Sequence, residues 1–300
     1  MTLVDRLLAP FRRPASARSA PARGVVRDTR IDCELCYEAS APSEFLFLLH
    51  AYDGADQQVS NETVTCEPAG RLHVFSDLYG HRYTRLQVEA GEFTVRYRAR
   101  VQRTLPAPRL AERAERPLAE IPDELLPMLL PTRYCESDLL GNAARKLFAE
   151  RPPGEARVRA ICDWIHEHID YAVGTSQAAT TSRDVFVQRA GVCRDFAHLG
   201  ITFCRALNIP ARFTVGYAPF DNPPPDFHAV FEAWLDGEWV MFDPTLLAPV
   251  EDLVRIASGR DASEVAFANI FGPARMTSMA PGFTLGSQSL QSPCAGVKPS

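Results

Sequence analysis

No segment of this 300-residue chain approaches the roughly 18 to 20 uninterrupted apolar residues that a membrane-spanning helix needs. Apolar runs such as Phe45 to Leu49 have strand length instead, so no membrane partner is expected. Charge of neither sign dominates. With 32 Lys+Arg against 37 Asp+Glu, the net charge of -5 gives no electrostatic reason to expect a nucleic-acid partner. Cysteine is sparse: eight residues, at positions 33, 36, 66, 135, 162, 193, 204 and 294, fall far below what a secreted disulfide scaffold uses. A reduced, cytoplasmic setting is the expectation. Cys33 and Cys36 form a C-x-x-C, but Ile31, Cys33, Leu35 and Tyr37 alternate as a strand does, which sends the two thiols to opposite faces. No second Cys or His pair has zinc spacing, and no acidic loop has EF-hand spacing. His166 and His168, two apart in a helical stretch, point away from each other. No metal or organic cofactor is expected. There is no internal repeat. What is present, 46% hydrophobic and 23% charged residues, describes a globular chain with apolar surface for one large or two modest cores.

Periodicity divides the chain. Residues 1–24 hold five Arg and one Asp, and Arg6 and the Arg12-Arg13 pair interrupt any continuous apolar region, so they read as a disordered basic tail. Residues 25–104 have period two: Phe93, Val95, Tyr97, Ala99 and Val101 line one strand face, and shorter runs occur near 44 to 52, 59 to 66, 71 to 76 and 82 to 88. These predict an all-β sandwich. Prolines at 106, 108, 117, 122, 127 and 131 mark 105–132 as a linker. Residues 133–282 predict an α+β core, with 283–300 as a C-terminal tail. In that core, Val158, Ile161, Cys162, Ile165 and Ile169 share a helical stripe, as do Cys193, Phe196, Ala197, Gly200, Ile201, Cys204 and Leu207. Asn208 and Pro210 close the second helix. Strands follow at 211–217, 227–235 and 238–243, the last two flanking the two-residue hairpin signal Asp236-Gly237.

Cys193 is the first chemical candidate. Gly191-Val192 delivers it to the first turn of a helix, where unpaired N–H groups and the helix dipole favour negative charge. A thiol nucleophile needs an imidazole beside it and a third group to orient that imidazole. With Asp236-Gly237 as the loop, Leu235 pairs with Glu238, Trp234 with Trp239, Glu232 with Met241, Val230 with Asp243 and His228 with Thr245. His228 and Asp243 then share a face as diagonal neighbours, within reach of a hydrogen bond. A one-residue slip would undo this. Asp226, on the same face, is a rival orienter of His228. His198 lies well round the helix from Cys193 and is badly directed as a base. Arg194 and Asp195 are expected to brace the helix start, and Trp234 and Trp239 to pack the sheet. Pro223 to Pro225 stiffen the loop before His228.

Together these residues resemble the transglutaminase-like proteins of the papain-like cysteine peptidase superfamily. The resemblance rests on Ala190–Ala197 (AGVCRDFA), Asn208–Phe213 (NIPARF), Val215–Tyr217 (VGY), Asp226–Ala229 (DFHA) with Glu232, Trp239–Thr245 (WVMFDPT) and Gly259–Asp261 (GRD), in that order. It covers roughly Arg133 to Asp261, and the β-rich region before it looks like the domain that accompanies this core in bacterial members. Val230 stands where the family often has an aromatic residue. The resemblance implies a Cys193, His228, Asp243 triad and acyl transfer through a thioester on a protein or peptide substrate. Hydrolysis is expected over transfer to an amine, because water is always present. An inert scaffold or binding module is the reading from another class. The oxyanion would take the Cys193 N–H and a second donor, with Tyr171, Gln177 and Gln188 as candidates. Oligomeric state is not legible.

Overall fold

The computed structural model describes residues 25–105, 111–220, 222, 226–286 and 289–290. The expected tail at 1–24, Pro106, Pro108, Pro223 to Pro225, and residues 291–300 with Cys294 lie outside the described residues. The architecture is α+β. The chain opens with six strands: β1 (Val25–Ala39), β2 (Ser43–Phe47), β3 (Gln57–Glu67), β4 (Arg71–Ser76), β5 (Arg82–Val88) and β6 (Gly91–Leu105). β1 and β6 pair antiparallel along their whole length, from Val25↔Leu105 to Ala39↔Gly91. Their odd-numbered residues point inward. Ile31, Cys33, Leu35 and Tyr37 are buried with Phe93, Val95, Tyr97 and Val101. Facing them, β2 and β5 contribute Phe45, Phe47 and Leu86. Tyr37 meets Phe45 edge-on with ring centroids 5.1 Å apart, and Phe45 meets Phe93 at 5.0 Å, so aromatic rings join the two sheets. Cys33 sits in this core, whereas the Cys36 thiol lies on the other face beside the Thr94 hydroxyl.

The second half places four helices around one sheet: α1 (Gly141–Phe148), α2 (Glu155–His168), α3 (Ser182–Gln188) and α4 (Cys193–Ala206). Short strands β7 (Asp170–Tyr171) and β8 (Ala190–Gly191) pair in parallel just before α4. β9 (Ala211–Tyr217), β10 (His228–Leu235), β11 (Glu238–Phe242) and β12 (Val254–Gly259) form an antiparallel sheet of order β11-β10-β9-β12. α4 is buried almost from end to end and packs on β10. Gly200 allows the approach, since a Cβ there would lie 2.5 Å from the Phe231 ring. Asp236 and Gly237 have φ of 50° and 84°, the positive values that a two-residue hairpin turn needs. The register follows: Leu235↔Glu238, Trp234↔Trp239 and Glu232↔Met241. The ladder stops at Phe231↔Phe242, short of the expected Val230 with Asp243 and His228 with Thr245, because Pro244 has no N–H to continue it. Trp234 packs against Ile121 and Leu125 of the proline-punctuated connection.

The last strands return to the first domain. β13 (Ala268–Phe271) pairs with β2, β14 (Ala274–Leu285) pairs with β1 from Ala39↔Ala274 to Thr29↔Leu285, and β15 (Ser289–Leu290) continues beside Val25 and Val26. This corrects the expectation of a core ending at 282 and a tail beginning at 283. The strand was hidden because most of β14 is exposed and carries no alternating apolar pattern. Pro281 is tolerated there because β14 is an edge strand.

Polar contacts lock the halves together. Tyr217 donates its hydroxyl to the Leu49 carbonyl at 2.7 Å, and Gln57 bonds both the N–H and the carbonyl of Arg255. Near this seam the Glu232 carboxylate, fully buried, accepts from Arg212 Nε at 2.6 Å, Arg255 Nη2 at 2.7 Å and the Thr214 hydroxyl. One carboxylate thus answers two guanidinium groups. Glu232→Gln is expected to cost about 3 kcal/mol of unfolding free energy, because it leaves buried positive charge without its counter-ion. Urea denaturation measures this, and a loss below about 1 kcal/mol would contradict it.

Candidate active site

The start of α4 is held by its own sequence. Val192 is extended, and its N–H donates to Asp195 Oδ2 at 3.0 Å, so the buried Asp195 caps the helix from its third position. Gly191 makes room, since a Cβ there would lie 2.8 Å from the Asp195 Cβ. Arg194 reaches Asp195 Oδ1 and also donates to the Ser176 hydroxyl and the Gln177 carbonyl, which fastens the loop after β7 to the helix. Both residues brace the site as expected. Cys193 therefore stands on the first turn of α4, 8% exposed, with its thiol 3.8 Å from the Phe227 carbonyl oxygen.

His228 is the first residue of β10 and is 1% exposed. Its Nε2 lies 2.8 Å from Asp243 Oδ2. Asp243 accepts through its other oxygen from the Thr245 N–H at 2.9 Å and the Thr245 hydroxyl at 2.7 Å. The carboxylate is thereby fixed, and Nε2 carries a proton towards it. Nδ1, the other ring nitrogen, is buried with no hydrogen-bond partner among the described residues, and the ring lies near the Cys193 thiol. Burial works against the imidazolium, but the Asp243 hydrogen bond and the adjacent Cys193 outweigh it and raise the His228 pKa to about 10. The Phe220 ring meets the imidazole edge-on at 5.3 Å. Thus Cys193, His228 and Asp243 are brought together.

The other candidates separate clearly. Asp226 accepts the Phe227 N–H through Oδ1 at 2.6 Å, and Asp243 holds the position by the imidazole. The Tyr171 hydroxyl lies near Cys193; burial and the nearby sulfur push its pKa up. Gln177 meets Arg194 through its carbonyl, and Gln188 is exposed at the end of α3. His198 is remote in chemistry. It is fully buried, its Nε2 accepts the Ala262 N–H at 3.1 Å, and Tyr134 stacks on its ring at 5.1 Å. Burial pushes its pKa down to about 3. His168 stacks on Trp164 at the end of α2. Sequence reasoning missed Thr245 as the clamp on Asp243, although an Asp two residues before a Thr is a recognisable side-chain turn. It also missed Phe220, for which the sequence carries no signal.

Residues 142–244 match the sequence profile described as the Transglutaminase-like superfamily, and residues 28–109 match that of the Bacterial transglutaminase, N-terminal domain. The first match spans Cys193, His228 and Asp243. The crystal structure of a candidate cysteine protease from Cytophaga hutchinsonii superposes with a TM-score of 0.84 at 38% identity, covering 89% of this chain and 93% of that one. An uncharacterized protein of Mycobacterium leprae is 31% identical over 150 residues, 46% of this chain and 52% of the relative. One of Mycobacterium tuberculosis is 30% identical over 137 residues, 41% of this chain and 43% of the relative. The chain spans about half the length of these curated relatives.

The two buried histidines carry opposite linkage. His228 has its pKa raised on folding, so its contribution to stability is complete below the ordinary value of about 6.5 and is lost as pH rises towards about 10. His198 has its pKa lowered, so its contribution is complete above about 6.5 and is lost as pH falls towards about 3. Histidine-selective NMR is expected to show His228 still protonated at pH 8 and His198 still neutral at pH 5. A His228 midpoint near 6.5 would contradict the site geometry.

Proposed function

The chain belongs to the transglutaminase-like superfamily, and from that premise we propose that it is a thiol-dependent amide or peptide hydrolase. The observation that carries the reading is a thiol, Cys193, near the His228 ring, which is itself held by the Asp243 carboxylate that Thr245 clamps. In this reading Cys193 is the nucleophile, His228 the proton carrier and Asp243 its orienter. The sulfur attacks the carbonyl carbon of an amide, and the oxygen takes negative charge. In this reading the Cys193 N–H and the Tyr171 hydroxyl, which lies near Cys193, are the donors that receive it. The thiol proton passes by way of His228 to the nitrogen, the C–N bond breaks, and the amine leaves a thioester behind. A water molecule then gives a proton to His228 and attacks the thioester, which releases the carboxylic acid and restores the thiol.

Hydrolysis is preferred to amine transfer because a second amine substrate must outcompete water, and this needs a cleft that limits water. An inert scaffold has less support, since it gives no reason to keep a buried, charge-stabilised His228 beside a thiol. The assay follows peptide and glutamine amides with and without a primary amine. Free acid is expected to form faster than amine adduct, and the reverse order would favour a transferase. Cys193→Ala is expected to reduce turnover to background. Iodoacetamide is expected to label Cys193 faster than the other cysteines near neutral pH, and more slowly in His228→Ala; equal labelling rates would favour the scaffold. Tyr171→Phe is expected to lower kcat about 10²-fold with KM changed by less than about threefold. A kcat within about threefold of the parent would remove Tyr171 from the oxyanion site.

A further inference from the structure

Asp243 takes the imidazole, and Asp226 is left with a carboxylate that no part of the fold uses fully. Its Oδ1 accepts the N–H of Phe227, and among the described residues no Lys or Arg pairs with it. Its surroundings define where it lies. Residue 227 offers its carbonyl to the Cys193 thiol, and residue 228 is the imidazole, so Asp226 directly precedes two residues of the site. The Asp226 charge also acts on the Tyr171 hydroxyl and on the His228 ring, so it lies near both. It is also exposed, while Phe227 and His228 behind it are buried, so it stands at the mouth of the site. Desolvation by the surrounding protein raises its pKa, and the Phe227 N–H and the His228 charge offset this only in part. A carboxylate in that state gains most from a cation that arrives with a ligand.

On the reading of the site as a thiol hydrolase, we propose that Asp226 is its specificity residue, binding an ammonium or guanidinium group carried by the substrate next to the scissile amide. The preferred substrates are then peptides or amides with a Lys-, Arg- or free-amine-like group within one residue of the bond that breaks. No new covalent step is involved.

The test has two arms. In the first, kcat/KM is measured on matched amides carrying Lys, Gln or Glu beside the scissile bond, for the parent protein, Asp226→Asn and Asp226→Glu. The Lys-to-Gln ratio is expected to be about tenfold in the parent, close to one in Asp226→Asn and largely kept in Asp226→Glu. In the second, the rate of Cys193 modification is compared for a cationic and an anionic methanethiosulfonate reagent. That ratio is expected to fall about tenfold in Asp226→Asn and to return in Asp226→Glu. This arm needs no turnover. If no amide is hydrolysed by any form, the hydrolase reading fails, and the modification ratio still decides where the Asp226 charge acts. Ratios that are the same in the parent and Asp226→Asn in both arms would overturn the proposal.

Discussion

The candidate site depends on the register of one hairpin. Positive φ at Asp236 and Gly237 closes β10 onto β11 with Leu235 opposite Glu238, and alternation along the strands then brings Asp243 to the side of His228. A slip of one residue would turn that carboxylate to the opposite face. The bend after Phe242 adds what the ladder alone lacks, since Thr245 can grip one Asp243 oxygen only when the chain leaves the sheet. The result is a carboxylate with one oxygen anchored and the other free to hold the imidazole.

The sulfur reaches the same point by a different route. α4 runs through the middle of the second domain, buried on all sides, and its position is fixed by close packing against β10 at Gly200. Its first turn is capped from within by Asp195, while Arg194 extends that anchor to the loop carrying Ser176 and Gln177. The loop follows directly from β7, whose Tyr171 touches Cys193. Helix start, loop and tyrosine are therefore linked through Arg194 and Cys193. The Gln57 and Tyr217 contacts tie the sheet that carries His228 to the β-rich first domain, and the Glu232 carboxylate with Arg212 and Arg255 joins β10, β9 and β12 within that sheet. The return of β13 and β14 to β2 and β1 makes that tie topological as well, because the polypeptide leaves the first domain and comes back to it.

Much of this was legible in residue spacing. The alternation at Ile31, Cys33, Leu35 and Tyr37, the stripe from Cys193 to Leu207 and the Asp236-Gly237 turn each express a local rule, and each element forms where its rule places it. Legibility stopped where local rules were silent. β14 owes its pairing to the open edge of β1 and not to any apolar pattern of its own, so nothing in 274–285 announces a strand. Along the chain Asp226 was a rival to Asp243 as the orienter, and the contacts of His228 with Asp243 and of Asp243 with Thr245 separate the two.

By itself the sequence determined most of the elements and the hairpin register and singled out Cys193, His228 and Asp243 as candidates, because helix period, strand period and a two-residue turn act over a few residues. The tertiary structure alone decided that the Cys193 thiol meets His228 and that Tyr171 lies against Cys193. It also decided that His198 is sealed in the core, neutral and away from the chemistry. Those outcomes depend on burial and on contacts between distant segments, where desolvation and neighbouring charge set what each group can do.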